Sequence, residues 1–179
     1  MSNQREDLQI ILSALEFASK KHRDQRRKDS SASPYINHPI SLANVLCNEG
    51  KINDPAVICA ALLHDTIEDT ETTEQELIHA FGKDIAKIVV EVTDDKALPK
   101  AERKLAQIEH AKNSSERAKL VKLADKISNL RDILTSPPAD WSIERKRDYF
   151  DWAKAVVDQI RGTNKQLETI FDELYTAKP

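Results

Sequence analysis

Glycine is scarce in this chain. Only Gly50, Gly82 and Gly162 occur in 179 residues, none near another. A Walker loop or a G-x-G-x-x-G turn needs clustered glycines, so neither phosphate cradle is available and phosphate chemistry must rest on side chains and metal. Cysteine is nearly as rare. Cys47 and Cys59 fit no C-x-x-C spacing, which removes a disulfide framework and leaves two thiols expected to be buried in a reduced compartment. Long apolar runs are also missing. The longest, AVICAALL from Ala56 to Leu63, falls far short of the roughly 20 residues that span a bilayer. Met1 to Leu15 lacks the apolar segment of a secretory signal. Charge of one sign is missing too: 27 basic against 30 acidic residues give a net −3, which argues for a mixed surface and against broad capture of nucleic acid. The expectation is a soluble, cytoplasmic protein without nucleic-acid or membrane partners, in which any anion site is local. Residues 1–179 suit one domain, large enough to bury a real core.

What is present is helical period. Leu8, Ile11, Leu12, Leu15 and Ala18 fall on one face of a first helix. A basic, serine-rich loop, RRKDSSASPYINHP, leads to a second helix expected to begin at Pro39. Asp54-Pro55 reads as an N-cap with proline in the first turn, opening the apolar helix that runs to His64. Thr73-x-x-Glu76 reads as a capping box and Gly82 as a stop. Ile85, Ile88, Val89 and Val92 mark another helix, and Pro99 opens one through His110. Leu120, Leu123, Ile127 and Leu130 form a stripe before Pro137-Pro138; Ser142 caps a helix to Arg161, and Thr163-x-x-Gln166 caps the last. No segment alternates like a strand. The fold class expected is all-α, a single-domain bundle of eight or more helices.

The chemistry concentrates in AALLHDTIEDTE, Ala60 to Glu71, where a wholly apolar helix runs into His64, Asp65, Glu68, Asp69 and Glu71. Carboxylates crowded beside a core repel one another and need hydration or a counter-charge, so something positive belongs there. If the helix continues to Asp69, the residues His64, Asp65, Glu68 and Asp69 share an arc of about 140°. Imidazole and carboxylate without thiolate suit a divalent ion of the Mn, Fe or Zn kind. Further ligand candidates are His38, in YINHP just before a helix, and Asp125, on a polar stripe with Lys122, Asn129 and Asp132. Taken singly these residues have plain explanations: a hydrogen-bonded histidine, a solvated helix end, a water-facing stripe. Arg26, Arg27 and Lys28 read as a soluble basic loop or as partners for a purine and its phosphates. Tyr149, Phe150 and Trp152 read as a core aromatic cluster or a pocket lining.

The stretches HRDQRRKD, PYINHPI, AALLHDTIEDT, EVTDDK, KLVKLADKISNLRD, YFDWA and GTNKQLE together resemble the hydrolase domain of the RelA/SpoT homologues, in the HD phosphohydrolase superfamily. The likeness is strongest to the small stand-alone members, the metazoan SpoT homologues among them, and spans about residues 8–174. The resemblance implies hydrolysis of the 3′-pyrophosphate of ppGpp or pppGpp, giving GDP or GTP and pyrophosphate, with one Mn²⁺ ion. It implies His38, His64, Asp65 and Asp125 as metal ligands and Glu68 and Asp69 as the pair that activates or positions the attacking water. Arg27 and Lys28 border the nucleotide in that family, and Asn129 and Tyr149 are further substrate-binding candidates. The loop KDSSASPY departs from the shorter linker of many long bacterial homologues, which leaves base contacts less defined than the metal site. Other readings of the same residues are an HD phosphohydrolase acting on deoxynucleotides, cyclic nucleotides or NADPH, a non-catalytic nucleotide sensor, and a metal-free helical interaction module.

Overall fold

The computed structural model describes residues 2–179, with side chains from Gln4 onward. Among the described residues there are ten α-helices and one π-helical turn: α1 Ser2–Lys21, α2 Asn37–Asn44 with the π turn Val45–Glu49, α3 Pro55–Leu63, α4 Thr66–Asp69, α5 Glu74–Phe81, α6 Lys83–Val92, α7 Lys100–Ala111, α8 Glu116–Thr135, α9 Ile143–Asp158 and α10 Lys165–Thr176. No sheet forms among the described residues, which hold only two isolated bridges, Arg26 with Pro34 and Asp29 with Pro138.

The centre is α3. Asp54 accepts a hydrogen bond from the Ala56 backbone N–H and Pro55 occupies the first turn, so the start is fixed by local chemistry. Every residue from Val57 to Leu63 is buried, and α3 packs against α1, α2, α6 and α8 at once. Each fully buried Leu or Ile contributes about 1.5–3 kcal/mol, and a helix enclosed on all sides cannot roll or slide. Its C-terminal residues are therefore held at defined positions. Thr73 and Ser142 cap α5 and α9 as expected, although the expected box at Thr73 is half made, the Glu76 carboxylate pairing with Lys21.

Several expectations are corrected. Cys59 is buried, but Cys47 is exposed because the π turn rotates it outward. On α1 the inward face centres on Ala14 and Ala18, with Leu8 57% and Leu12 55% exposed; small residues there let α1 approach α3 closely. The cap of α10 is Asn164, which accepts from the Leu167 N–H, one residue after the expected Thr163. Helix α9 ends at Asp158, with Arg161 in the following turn. Helix α2 begins two residues before Pro39, at Asn37.

Gly50 closes the π turn where nothing larger fits. A Cβ there would lie 2.9 Å from Leu167 Cδ1 on α10 and 2.9 Å from the Leu46 carbonyl oxygen, so the glycine sets how near α10 comes to the core.

Candidate metal and nucleotide site

The long apolar helix does not continue to Asp69, and the shared arc is corrected accordingly. Asp65, at φ −98 and ψ 1, breaks it, and the chain restarts as α4. The Thr66 hydroxyl bonds back to the Leu63 carbonyl at 2.7 Å, closing the end of α3. The break turns His64 and Asp65 toward α2 and α8, while Glu68 and Asp69 project one short helix further on.

His38, His64 and Asp65 each offer a ligand atom within 4.8 Å of the others. Asp125 borders the group through His38, its Oδ1 lying 3.2 Å from His38 Nε2, and stands outside the spacing that the other three share. Both rings are oriented from behind. His64 Nδ1 bonds the Ala61 carbonyl at 2.8 Å, and His38 Nδ1 faces the Ser128 hydroxyl at 3.3 Å. A carbonyl only accepts, so His64 carries a proton on Nδ1. Its Nε2 is buried with no hydrogen-bond partner, although Asp65 Oδ2 lies 2.8 Å away. A buried nitrogen oriented by its other side and set beside a carboxylate is the arrangement that imidazole metal ligands adopt. The residues therefore fit a metal: His38, His64 and Asp65 form a group that could hold an ion without thiolate.

The charges around this cluster are strongly coupled. Burial alone would raise Asp65, but the adjacent His64 ring more than offsets it and holds the carboxyl below the usual range. Burial likewise works against Asp125, where Lys126 and His38 hold the carboxyl low. Tyr35 donates its hydroxyl to Asp65, and burial followed by the Asp65 charge keeps that phenol protonated. Glu68 behaves differently. Burial first, then Asp65 and Asp94, raise it to about 7, with the Asp94 N–H at 3.3 Å as its one direct donor.

Counter-charge for the acids comes in part from the protein itself. Lys96 pairs with Asp69, Lys126 contacts Asp125 at 2.9 Å, and Arg103 stands 3.8 Å from Glu68. A chain of side chains links both ends of the site: Asp94 accepts from Gln107 at 2.5 Å, Gln107 accepts from Lys126 at 3.1 Å, and Lys126 reaches Asp125.

Two cavities open beside the cluster. The larger, about 560 Å³, is lined by the loop after α1 and by α8 and includes Arg27, Lys28, Asp69, Asn129 and Tyr149. The smaller, about 350 Å³, is lined by the acids Asp65, Glu68, Asp94 and Asp125 together with the cations Lys100, Lys104, Lys126 and Arg145. Arg27, Tyr35, His38, Asn129, Trp141 and Tyr149 border both. The expected site residues thus converge on one region. Arg27 lies over the Tyr35 ring at 5.7 Å and donates to Asp132 and to Asn129 Oδ1 at 3.3 Å. Lys28 is exposed at the rim. The polar stripe of α8 faces the cavities, with Lys122 only 8% exposed, so it is not a water-facing surface. The aromatic run splits between its two readings: Phe150 is in the core, while Tyr149 and Trp152 face the site.

Sequence reasoning missed the basic wall of α7 and α9. Lys100, Arg103, Lys104 and Gln107 recur at helical spacing, but an ordinary solvated helix carries the same signal. It also missed Tyr35, Ser128 and Lys126, whose partners come from distant segments.

A family model described as HD domain matches residues 14–149. The chain is 54% identical over 169 residues to the guanosine-3′,5′-bis(diphosphate) 3′-pyrophosphohydrolase MESH1 of Xenopus tropicalis, covering 94% of each. It is 53% identical over 165 residues to the Homo sapiens protein of the same name, covering 92% of each. A solved structure of a metazoan ortholog of SpoT that hydrolyzes ppGpp and plays a role in starvation responses superposes with a TM-score of 0.91, at 49% identity and 94% coverage of both chains.

Proposed function

The chain belongs to the HD domain family, and from that premise we propose that it hydrolyses the 3′-pyrophosphate of guanosine 3′,5′-bis(diphosphate) or of the pentaphosphate, releasing pyrophosphate and GDP or GTP. The observation that carries this reading is the His38, His64 and Asp65 cluster standing between an aromatic, nucleoside-sized cavity and a wall of cations. All 179 residues serve as a single hydrolase domain, and we assign its setting as cytoplasmic.

His38, His64, Asp65 and Asp125 would hold one divalent ion; their nitrogen and oxygen donors suit an ion of the Mn, Fe or Zn kind, and the resemblance to the family makes Mn²⁺ our assignment. When bound, the ion would supply polarisation of a phosphoryl oxygen and a lowered pKa for the attacking water. Glu68 takes the proton from that water. A carboxyl raised to about 7 by burial and by Asp65 and Asp94 is matched to proton transfer near neutral pH. Asp69 orients the same water from the other cavity. Lys104 and Arg145 receive the diphosphate; burial, then the neighbouring Lys100, lowers the Lys104 ammonium, and a polyanion relieves that repulsion. Arg27, Lys28, Asn129 and Tyr149 bind the nucleoside, Arg27 and Tyr149 offering flat faces for the purine.

The experiment is Mn²⁺-dependent release of pyrophosphate from ppGpp, measured beside NADPH and deoxynucleotides and scored by kcat/KM. Highest kcat/KM for ppGpp supports the reading; a preference for NADPH would reassign the substrate while leaving the metal site standing. Asp125→Asn should remove turnover and weaken Mn²⁺ binding in a protein that keeps its helical circular dichroism. Full turnover in that variant would take Asp125 out of the ligand set.

A further inference from the structure

Two side chains of the loop after α1 have no part in the reading above. His22 is 2% exposed, and its Nδ1 lies 2.7 Å from Gln25 Oε1. Gln25 Nε2 in turn lies 3.0 Å from Asp69 Oδ2. The direction of this chain follows from its two ends. A carboxylate only accepts, so the amide must offer Asp69 its nitrogen and is left with its oxygen for the histidine. That oxygen also only accepts, so His22 must carry its proton on Nδ1.

The imidazole is fixed from a second side. Its ring packs on Tyr35 with centroids 4.8 Å apart, and the Tyr35 hydroxyl donates to Asp65. Burial, the largest influence on His22, favours the neutral ring, consistent with a single donated proton. Among the described residues the Asp69 carboxylate has one other partner, Lys96, whose side chain is 49% exposed. An exposed lysine is a poor anchor, because it gives up several freely rotating torsions to hold one geometry. The amide bound to a buried ring is the better one.

We propose that His22 and Gln25 are positioning residues for Asp69. The buried imidazole holds the Gln25 amide in one orientation. The amide then holds Asp69 Oδ2, so that the carboxylate keeps one rotamer at the wall of the larger cavity, which Gln25 and Asp69 both line. The inference rests on the reading of Asp69 as the group that orients the attacking water. Fixing such a group with a neutral donor preserves its full charge for that water.

The test is a double-variant cycle on ppGpp hydrolysis with Mn²⁺, using Gln25→Ala, His22→Ala, the pair together, and His22→Asn, whose amide nitrogen stands where Nδ1 was. Each alanine variant should lower kcat about 10- to 100-fold, the range for outer-sphere partners of a metal site, with KM and Mn²⁺ affinity unchanged. The pair should be no worse than either alone, because the two residues act as one unit, and His22→Asn should restore most of the rate. In the metal-free wild type, imidazole ¹⁵N shifts should report the Nδ1–H tautomer of His22, and Gln25→Ala should lose that signature. Gln25 lies on a loop, so its variant keeps the test open even where His22→Ala fails to fold. Wild-type kcat in Gln25→Ala, losses that multiply in the pair, or a proton on Nε2 would each overturn the inference. If wild type leaves ppGpp intact, the functional reading fails instead, and the tautomer still decides whether the relay exists.

Discussion

Glu68 combines a cost to the fold with the proton transfer proposed for it. Its carboxyl is raised from an ordinary 4.5 to about 7 by burial, Asp65 and Asp94. Between those values the folded state binds a proton that the unfolded chain has released, so the metal-free protein loses stability as pH rises from about 4.5 and carries the whole penalty above about 7. Glu68→Gln should therefore stabilise the metal-free protein by about 1–3 kcal/mol at pH 8 and leave it unchanged at pH 4, read from thermal or urea unfolding. The same variant should bind Mn²⁺ yet turn over about 10²-fold more slowly. A base must be deprotonated, so wild-type kcat should fall as pH drops through about 7, or somewhat lower, since a bound cation favours the charged carboxylate. A flat profile in wild type, or an unchanged one in Glu68→Gln, would remove Glu68 from the proton transfer. At this scale the sequence disclosed the residues whose chemistry is unusual in itself, His64 beside Asp65 and the acids after them. It did not disclose His22, Gln25, Tyr35 or Ser128. Gln25, Tyr35 and Ser128 bond partners far along the chain, His22 matters only through Gln25, and no local pattern encodes those contacts.

Helix ends were readable where capping is local. Asp54, Thr73 and Ser142 were legible because one side chain and a backbone N–H two or three residues later complete the cap. The last helix was misjudged by one residue because Thr163 and Asn164 offer the same chemistry side by side. On α1 the apolar period was real, but which part of it faces inward depends on what packs there, and Leu8 and Leu12 stay outside. The break at Asp65 was illegible for a related reason: nothing in its composition stops a helix, and the Thr66 hydroxyl that closes the end of α3 on the Leu63 carbonyl is a bond that a threonine also makes inside continuous helices. Element packing also yields a prediction at Gly50. Its added Cβ would meet Leu167 Cδ1 and the Leu46 carbonyl, both at 2.9 Å, so Gly50→Ala should destabilise the protein by about 1–3 kcal/mol, the usual cost of overpacking. Because α10 carries no proposed site residue, kcat at permissive temperature should remain. A simultaneous loss of turnover would mean that α10 supports the site more directly.

For the molecule as a whole, a net charge of −3 conceals a local concentration of cations, where α7 and α9 bring Lys100, Arg103, Lys104 and Arg145 to the cavity that Asp65, Glu68 and Asp125 also line. An anionic substrate is thus drawn to one wall of one cavity. Lys104→Ala or Arg145→Ala should raise KM for ppGpp about 10-fold or more, as expected for a lost charge-assisted hydrogen bond, with smaller effect on kcat; an unmoved KM would take that wall out of substrate binding. Among the described residues the core around α3 contains no proposed metal ligand other than His64 at its edge, so chelation should leave the helices folded, and added Mn²⁺ should raise the melting temperature by mass action. The central claim is that His38, His64, Asp65 and Asp125 close around one cation. Anomalous diffraction at the manganese edge from crystals of Mn²⁺-loaded protein tests it most directly. The account predicts a single strong peak at bonding distance, about 2.0–2.3 Å, from all four side chains; no peak there, or one held by the outer acids Glu68, Asp69 and Asp94 instead, would contradict it.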